Sequence, residues 1–146
     1  MKVLRRVLML AVVVFLGTGG PVAADAVYHT ERLPFVGESN SQFHGQVLNI
    51  HPNGPVNGAI ERYQVVGAEP STEYAVWIQV CDDGDFVDFL QTTELTTNRQ
   101  GNGHGSFRLS AEALGPFHGL VLVIRWTLQT DGEVVYATPC TTVTID

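Results

Sequence analysis

The stretch Glu-Tyr-Ala-Val-Trp-Ile-Gln-Val-Cys at residues 73–81 decides the fold class of this chain, because its side chains alternate as they do in a β-strand. One face would carry Tyr74, Val76, Ile78 and Val80, and the other Ala75, Trp77, Gln79 and Cys81. Both faces are largely apolar, which is typical of a strand that is covered on both sides of its sheet. We therefore predict a central β-strand over residues 73–81.

The first 24 residues have the pattern of a secretory signal peptide. Lys2, Arg5 and Arg6 precede an apolar run over residues 7–16, and Val-Ala-Ala at residues 22–24 fits the small-residue cleavage rule. The alternative is an N-terminal membrane anchor, but a spanning helix needs about 20 apolar residues and this run is shorter. We expect a secreted, extracytoplasmic chain that starts at residue 25 and has no membrane span.

The mature chain is strongly acidic and holds no lysine. Removal of Lys2, Arg5 and Arg6 leaves five of the eight basic residues against 15 acidic ones, which changes the net charge from −7 to −10. Chemistry that uses a lysine amine is thereby excluded, and the negative charge argues against nucleic acid or an anionic membrane as a partner.

Two cysteines are present, Cys81 at the end of the central strand and Cys140 near the C-terminus. In an exported domain two cysteines most often form a disulfide, and closing so long a loop is worth about 4 kcal/mol. The alternative, a redox or metal-binding thiol pair, lacks the Cys-x-x-Cys spacing that lowers a thiol pKa. We predict a disulfide between the two.

The remaining chain predicts an all-β domain. We expect an extended N-terminal arm over residues 25–41, with an edge strand near residues 27–30, and one domain over residues 42–146. Its other elements are strands over residues 43–50, 58–66, 86–97, 106–109, 120–128 and 133–145, and one helical turn over 110–114. Leu122, Ile124, Trp126 and Leu128 share a face that should be core. About seven strands at this spacing favour a two-sheet Greek-key sandwich.

Residues 67–76, Gly-Ala-Glu-Pro-Ser-Thr-Glu-Tyr-Ala-Val, resemble a signature of fibronectin type III and related immunoglobulin-like sandwiches. The resemblance implies that Tyr74 forms a structural corner, its hydroxyl reaching back to the backbone of the preceding turn. Ala68 replaces the leucine of the signature, and a long stretch of chain follows Tyr74, so the topology must differ. Residues 96–103 resemble a hairpin of bacterial exported sandwiches, which implies an architecture and no activity.

Histidines supply one candidate metal site. His44, His104 and His118 each precede a glycine, and His51 lies near the first of them in sequence. Imidazole is a common ligand of zinc and copper, and a neighbouring glycine allows a close approach of the backbone. The alternative is separate surface or turn histidines, since the chain has neither a His-x-His pair nor a Cys-His-Met cluster near its C-terminus.

Other candidate sites are weaker in pattern. Asp82, Asp83, Asp85 and Asp88 crowd one turn and offer the oxygen ligands that calcium prefers, or they form a solvated acidic turn. Ser106 follows a glycine but lacks the Gly-x-Ser-x-Gly elbow, so we expect no catalytic residues.

Trp77 and Tyr136 share strand parity with Cys81 and Cys140, respectively. They would either pack against the disulfide or form a stacking platform for sugar or peptide. The sequence thus predicts a non-catalytic binding or cell-envelope module with a protein or carbohydrate ligand. The alternative is a secreted zinc or copper protein that uses the histidines. The oligomeric state stays open, because without lysine other residues or a partner must protect the sheet edges.

Overall fold

The structure, a computed structural model, describes residues 28–52 and 58–145, and the predicted signal peptide lies outside them. The described chain is all-β, as predicted. Its strands are β1 (Tyr28–Gly37), β2 (Phe43–Pro52), β3 (Ala59–Val65), β4 (Glu73–Asp82), β5 (Asp85–Thr96), β6 (Gly103–Leu109), β7 (Val121–Thr130), β8 (Glu133–Ala137) and β9 (Thr141–Thr144). One helix, α1 (Ala111–Leu114), runs into a 3₁₀ turn, Gly115–Phe117. Within the described ranges, no helix has the length and apolar character needed to cross a membrane.

The strands form one continuous antiparallel sheet in the order β5-β4-β7-β8-β1-β2-β3-β6, and β9 pairs with β7 beyond β8. The sheet curls until its two end strands meet, where Gly103 and Gly105 of β6 lie against Leu95 and Thr93 of β5. We expected about seven strands in two sheets, and the structure has nine strands in a single, nearly closed sheet. The difference arises because long-range pairing joins strands that local patterns cannot connect.

The shortest strand pairing of the sheet is that between β1 and β8. These strands pair only through Val36 with Ala137 and Gly37 with Tyr136. On one side of this junction lie β1, β2, β3 and β6, and on the other lie β8, β7, β4, β5 and β9. The two halves face each other across the interior, so alternate residues of every strand point towards a shared core.

The core forms where the inward side chains of the two halves meet. Tyr74, Val76 and Ile78 of β4 are buried in it, as are Ile124, Trp126 and Leu128 of β7, and Leu122 is half-buried. The opposite half contributes Phe35, Val47, Tyr63 and Val65. Each large apolar side chain buried in this way stabilises the fold by about 2 kcal/mol. The core face predicted for β7 is therefore confirmed, and β4 is the central strand predicted over residues 73–81.

Strand β1 runs further and lies deeper in the sheet than the edge strand expected near residues 27–30. It spans Tyr28–Gly37, with β8 on one side and β2 on the other. Phe35 points into the core, and the preceding Pro34 is exposed. Proline has no N–H for a neighbouring strand, and β8 meets β1 only beyond Pro34. Pro34 is therefore tolerated within strand β1.

The final strand predicted over residues 133–145 is divided into β8 and β9, which pair with successive parts of β7. The division falls at Thr138-Pro139-Cys140. Although Pro139 offers no N–H, the Thr138 N–H donates to the Trp126 carbonyl at 2.9 Å and the Trp126 N–H donates to Thr138 Oγ1 at 3.0 Å. A threonine side chain thus keeps β7 paired across the interruption.

The turn before β4, residues 67–72, interlocks with the loop between β5 and β6. The Ala68 N–H donates to the Gly101 carbonyl at 3.0 Å, and the Thr97 N–H donates to the Thr72 carbonyl at 2.9 Å. Gly101 has φ +76°, and a Cβ there would lie 2.1 Å from the Ala68 carbonyl oxygen. Only glycine fits this close approach. The two segments that carry the family-like motifs are therefore packed together.

The predicted disulfide is confirmed. Cys81 and Cys140 are bonded, with their Cα atoms 6.4 Å apart and a separation of 59 positions in sequence. The bond joins the end of β4 to the segment between β8 and β9, which keeps that irregular segment against the sheet.

Replacing both cysteines, as Cys81→Ala with Cys140→Ala, should lower the free energy of unfolding by about 4 kcal/mol, because the unfolded chain regains the entropy of a long loop. Urea unfolding of the mature protein measures this, with the oxidised wild type as reference. Wild type reduced by a thiol should lose a similar amount. A loss below about 1 kcal/mol would contradict a stabilising role for the bond.

Candidate functional site

A cavity of about 400 Å³ lies inside the curl of the sheet, at the end where β7 begins. Its walls are apolar side chains from both halves, with Ile78 and Leu122 on one side and Ala59 and Leu109 on the other. The alternation of the strands turns these residues inward. Small-molecule sites in proteins span roughly 300–1,000 Å³, so the cavity has room for a small ligand.

α1 and the 3₁₀ turn cover one side of the cavity with Ala113, Leu114 and Phe117. Ser110 caps the start of the helix by accepting a hydrogen bond from the Ala113 N–H at 3.2 Å. Phe117 meets Phe89 edge to face, with ring centroids 5.9 Å apart. Phe89 lies where the pairing of β5 with β4 shifts by one residue, a bulge that redirects a side chain. The cover is thus held by an aromatic contact and a helix cap.

Three polar side chains face this apolar space: Asn49, Glu61 and Trp126. Asn49 in β2 and Glu61 in β3 pair directly, so both lie on the inner face. Trp126 comes from β7, in the opposite half. Their exposed fractions are 1%, 3% and 0%, respectively. A cavity with apolar walls and a few convergent polar groups is typical of ligand sites.

Glu61 is a buried carboxyl held by hydrogen bonding. The Tyr63 hydroxyl donates to Glu61 Oε2 and lies 2.8 Å from Thr92 Oγ1. Burial raises the pKa of Glu61 above its ordinary value of 4.5, while the Tyr63 hydroxyl and the nearby Trp126 N–H lower it. Burial and the neighbouring carboxylate also raise the pKa of Tyr63. The site therefore favours the neutral form of Glu61 more than water does.

Two buried atoms at the cavity have no hydrogen-bond partner within residues 28–52 and 58–145. They are Asn49 Oδ1 and Trp126 Nε1, the latter near the Glu61 carboxyl but outside hydrogen-bond geometry. An unpaired buried polar group costs about 1–3 kcal/mol. At a cavity, such atoms can be paired by a bound molecule or by ordered water.

The outer face of the same sheet carries a second polar group of residues, here called the outer polar cluster. Its members are Glu38, Gln79, Asp88, Arg125 and Gln129. Arg125 donates to Gln79 Oε1 at 2.8 Å and to Glu38 Oε1 at 2.9 Å, and its guanidinium stacks 3.4 Å from the centre of the Phe86 ring. Burial lowers the pKa of Arg125, and the Glu38 charge opposes this. These hydrogen bonds join members of the cluster to one another, so the cluster holds neighbouring strands together.

The structure places the four candidate metal-binding histidines on three parts of the fold, with His44 and His51 at opposite ends of β2. His44 in β2 stacks on Tyr136 with ring centroids 4.5 Å apart, His104 lies exposed in β6, and His118 follows the 3₁₀ turn. His51 belongs to β2, and its side chain lies outside the described part. Among the described residues, no three His, Cys, Asp or Glu side chains are arranged to hold a metal ion. Zinc or copper binding stays a prediction.

The acidic residues proposed for calcium divide into two environments. Asp83 and Gly84, both with positive φ, form the two-residue turn between β4 and β5, and Asp82 and Asp85 flank it. Asp88 lies further along β5 and accepts hydrogen bonds in the outer polar cluster. The structure therefore does not bring Asp88 together with the other three.

The proposed aromatic platform is divided between two faces of the sheet. Trp77 pairs with Thr127 on the outer face, and Tyr136 pairs with Leu128 on the inner face. Tyr136 is buried against Tyr74, with ring centroids 5.8 Å apart. The two rings therefore do not form one surface.

Tyr74, the proposed structural corner, is buried. Burial raises its pKa to about 12, with Tyr136 adding to the shift and a hydrogen bond to the Glu69 backbone opposing it. The Glu69 backbone belongs to the preceding turn. The role of Tyr74 as a tyrosine corner stays a prediction.

Sequence reasoning missed Asn49, Glu61 and Trp126 as one site. A signal was present, because Glu61 shares strand parity with Tyr63 and Val65, and a carboxyl on a core-facing position needs an explanation. Trp126 was predicted to be core, but its indole N–H was not considered. The pairing of β2 with β3, which brings Asn49 beside Glu61, is a long-range feature.

Comparison with protein-family models, with curated proteins and with solved structures finds no match for this chain. Its function is therefore argued from the geometry of the cavity.

Changing Glu61 to glutamine should remove a pH dependence of stability. The folded state binds the Glu61 proton more tightly than the unfolded chain, so its stabilising effect is complete below the ordinary pKa and is lost as pH rises through the raised pKa. We expect the free energy of unfolding of wild type to fall relative to Glu61→Gln as pH rises from ~4, measured by urea unfolding. Glu73→Gln, at an exposed position in β4, is the control and should show no relative fall. A pH-independent difference for Glu61→Gln would contradict the burial of this carboxyl.

Proposed function

We propose that this protein is an exported, non-catalytic binding protein that holds a small, mainly apolar molecule in the cavity. One observation carries the proposal: an apolar cavity of about 400 Å³ contains two buried polar atoms that have no hydrogen-bond partner among the described residues. The cavity is partly open, so without a ligand its apolar walls would meet water, which is unfavourable. A space of this size with polar atoms at one place is therefore better explained by a ligand than by loose packing.

The groups around the cavity favour binding over catalysis. The carboxyl of Glu61 is engaged by the Tyr63 hydroxyl, and Asn49 and Trp126 contribute an amide and an indole. This set offers hydrogen bonds that orient a ligand, but it does not pair a nucleophile with a base. It supports a protein that carries or senses its ligand unchanged.

The disulfide supports action in an oxidising, extracytoplasmic space, where such bonds persist. A cleaved signal peptide over residues 1–24 would deliver the chain there. The resemblance of residues 67–76 to immunoglobulin-like domains would imply a shared architecture, and it would not change the proposed cavity site. A small apolar ligand replaces the carbohydrate or protein ligand in our proposal, because Trp77 and Tyr136 lie on opposite faces.

Leu122→Trp should abolish or strongly weaken ligand binding, because Leu122 lines the cavity and the larger ring would occupy it. Val123→Trp makes the same kind of change at the next residue, which is exposed on the outer face, and should bind as wild type does. The measurement is a titration with N-phenylnaphthylamine, a neutral apolar dye whose emission rises on leaving water. We expect a loss of about tenfold or more for Leu122→Trp.

Circular dichroism should first show that both tryptophan variants fold. Equal dye binding by the two folded variants would place the dye elsewhere and would remove the support for a cavity site. Absence of dye binding by wild type would overturn the proposed function.

A further inference from the structure

If the cavity binds a ligand, as proposed above, the polar residues Asn49, Glu61 and Trp126 determine which head group that ligand carries. We infer that the ligand is an apolar molecule ending in a neutral hydroxyl, which accepts a hydrogen bond from Trp126 Nε1 and donates one to Asn49 Oδ1. The inference is carried by the two atoms that lack partners: one is a donor and the other an acceptor. A hydroxyl is the smallest group that supplies both complements.

The two atoms belong to one corner of the cavity. Asn49 pairs with Glu61 across β2 and β3, which brings their Cβ atoms to about 5 Å. The Trp126 N–H is near enough to Glu61 to influence its carboxyl. Glu61 thus lies beside Asn49 of one half of the sheet and near Trp126 of the other, and we place the head group next to this carboxyl.

A carboxylate head group fits this corner poorly. It could accept from the Trp126 N–H, but it has no proton to donate to Asn49 Oδ1. It would also lie beside the Glu61 carboxyl in an apolar space, where two like charges repel strongly and one of them must take up a proton. Fatty acids are therefore disfavoured.

An ammonium head group satisfies only half of the corner. It donates to Asn49 Oδ1, and Glu61 could balance its charge, but it carries no lone pair for the Trp126 N–H. That donor would stay buried and unpaired, at a cost that a hydroxyl avoids. The bare charge must also leave water for an apolar cavity.

The test is a titration with four compounds built on an eight-carbon chain that carry different head groups: octanol, octylamine, octanoate and methyl octyl ether. The Trp77→Phe variant is used, because Trp126 is then the remaining tryptophan and its emission reports on the cavity. Trp77 lies on the outer face, away from the ligand. We expect octanol to bind about tenfold more tightly than each of the other three.

The ether isolates the contact with Asn49, since it keeps the acceptor oxygen and loses the proton. Asn49→Leu, made in the same background, should weaken octanol about tenfold and leave the ether unchanged, so that the two bind alike. Gln46→Leu replaces an amide on the opposite face of the same strand and should preserve the preference for octanol.

The outcomes separate this inference from the proposed function. If N-phenylnaphthylamine and all four octyl compounds fail to bind, the cavity is not a ligand site and both are overturned. If the dye binds but octylamine or octanoate equals or exceeds octanol, the head group assignment is wrong and the cavity function stands. The ranking on the Trp77→Phe protein does not depend on whether Asn49→Leu folds.

Discussion

The part of strand β7 from Ile124 to Gln129 is buried on both of its faces, and this constraint organises the molecule. Its inward residues Ile124, Trp126 and Leu128 belong to the core, while Arg125, Thr127 and Gln129 are buried on the outer side. Burying an arginine is costly unless its charge is paired and its donors are bonded. Glu38, Gln79 and the Phe86 ring meet that requirement for Arg125 and in doing so connect β7 with neighbouring strands.

The disulfide and the outer polar cluster act on the same side of the sheet. Cys140 fastens the interrupted segment between β8 and β9 to the end of β4, and Thr138 continues the hydrogen bonding of β7. With the outer face held in this way, the inner face does not need to be filled completely. The outer face of the sheet thus supplies stability, and the inner face, between β7 and the opposite half, supplies the cavity.

Local patterns predicted the parts of the fold that depend on neighbouring residues. The strand over residues 73–81, the core face of β7 and the helical turn over residues 110–114 are confirmed. The disulfide followed from the count of cysteines and the expected export. The order of the strands and the curl of the sheet did not follow, because they depend on contacts between distant segments such as β1 with β8. The two prolines also differ in effect: Pro34 lies within the continuous strand β1, whereas Pro139 lies where the chain breaks between β8 and β9.

The cavity site was beyond sequence reasoning for a related reason. Histidines and aspartates attracted attention because their residue types carry known chemistry, yet the structure places them on separate elements or in turns. The residues that do converge are of types usually interpreted otherwise: an asparagine and a glutamate within strands, and a tryptophan assigned to the core. Their common feature is an inward position, and that becomes visible only when β2, β3 and β7 are assembled around one space.

A crystal structure of the mature protein under xenon pressure tests the central claim most directly, because xenon enters apolar cavities that are large enough to admit it. Density for xenon between Leu122 and Trp126, with the surrounding side chains unmoved, is the result that a preformed ligand cavity predicts. A space filled by those side chains, with no xenon bound there, would contradict it.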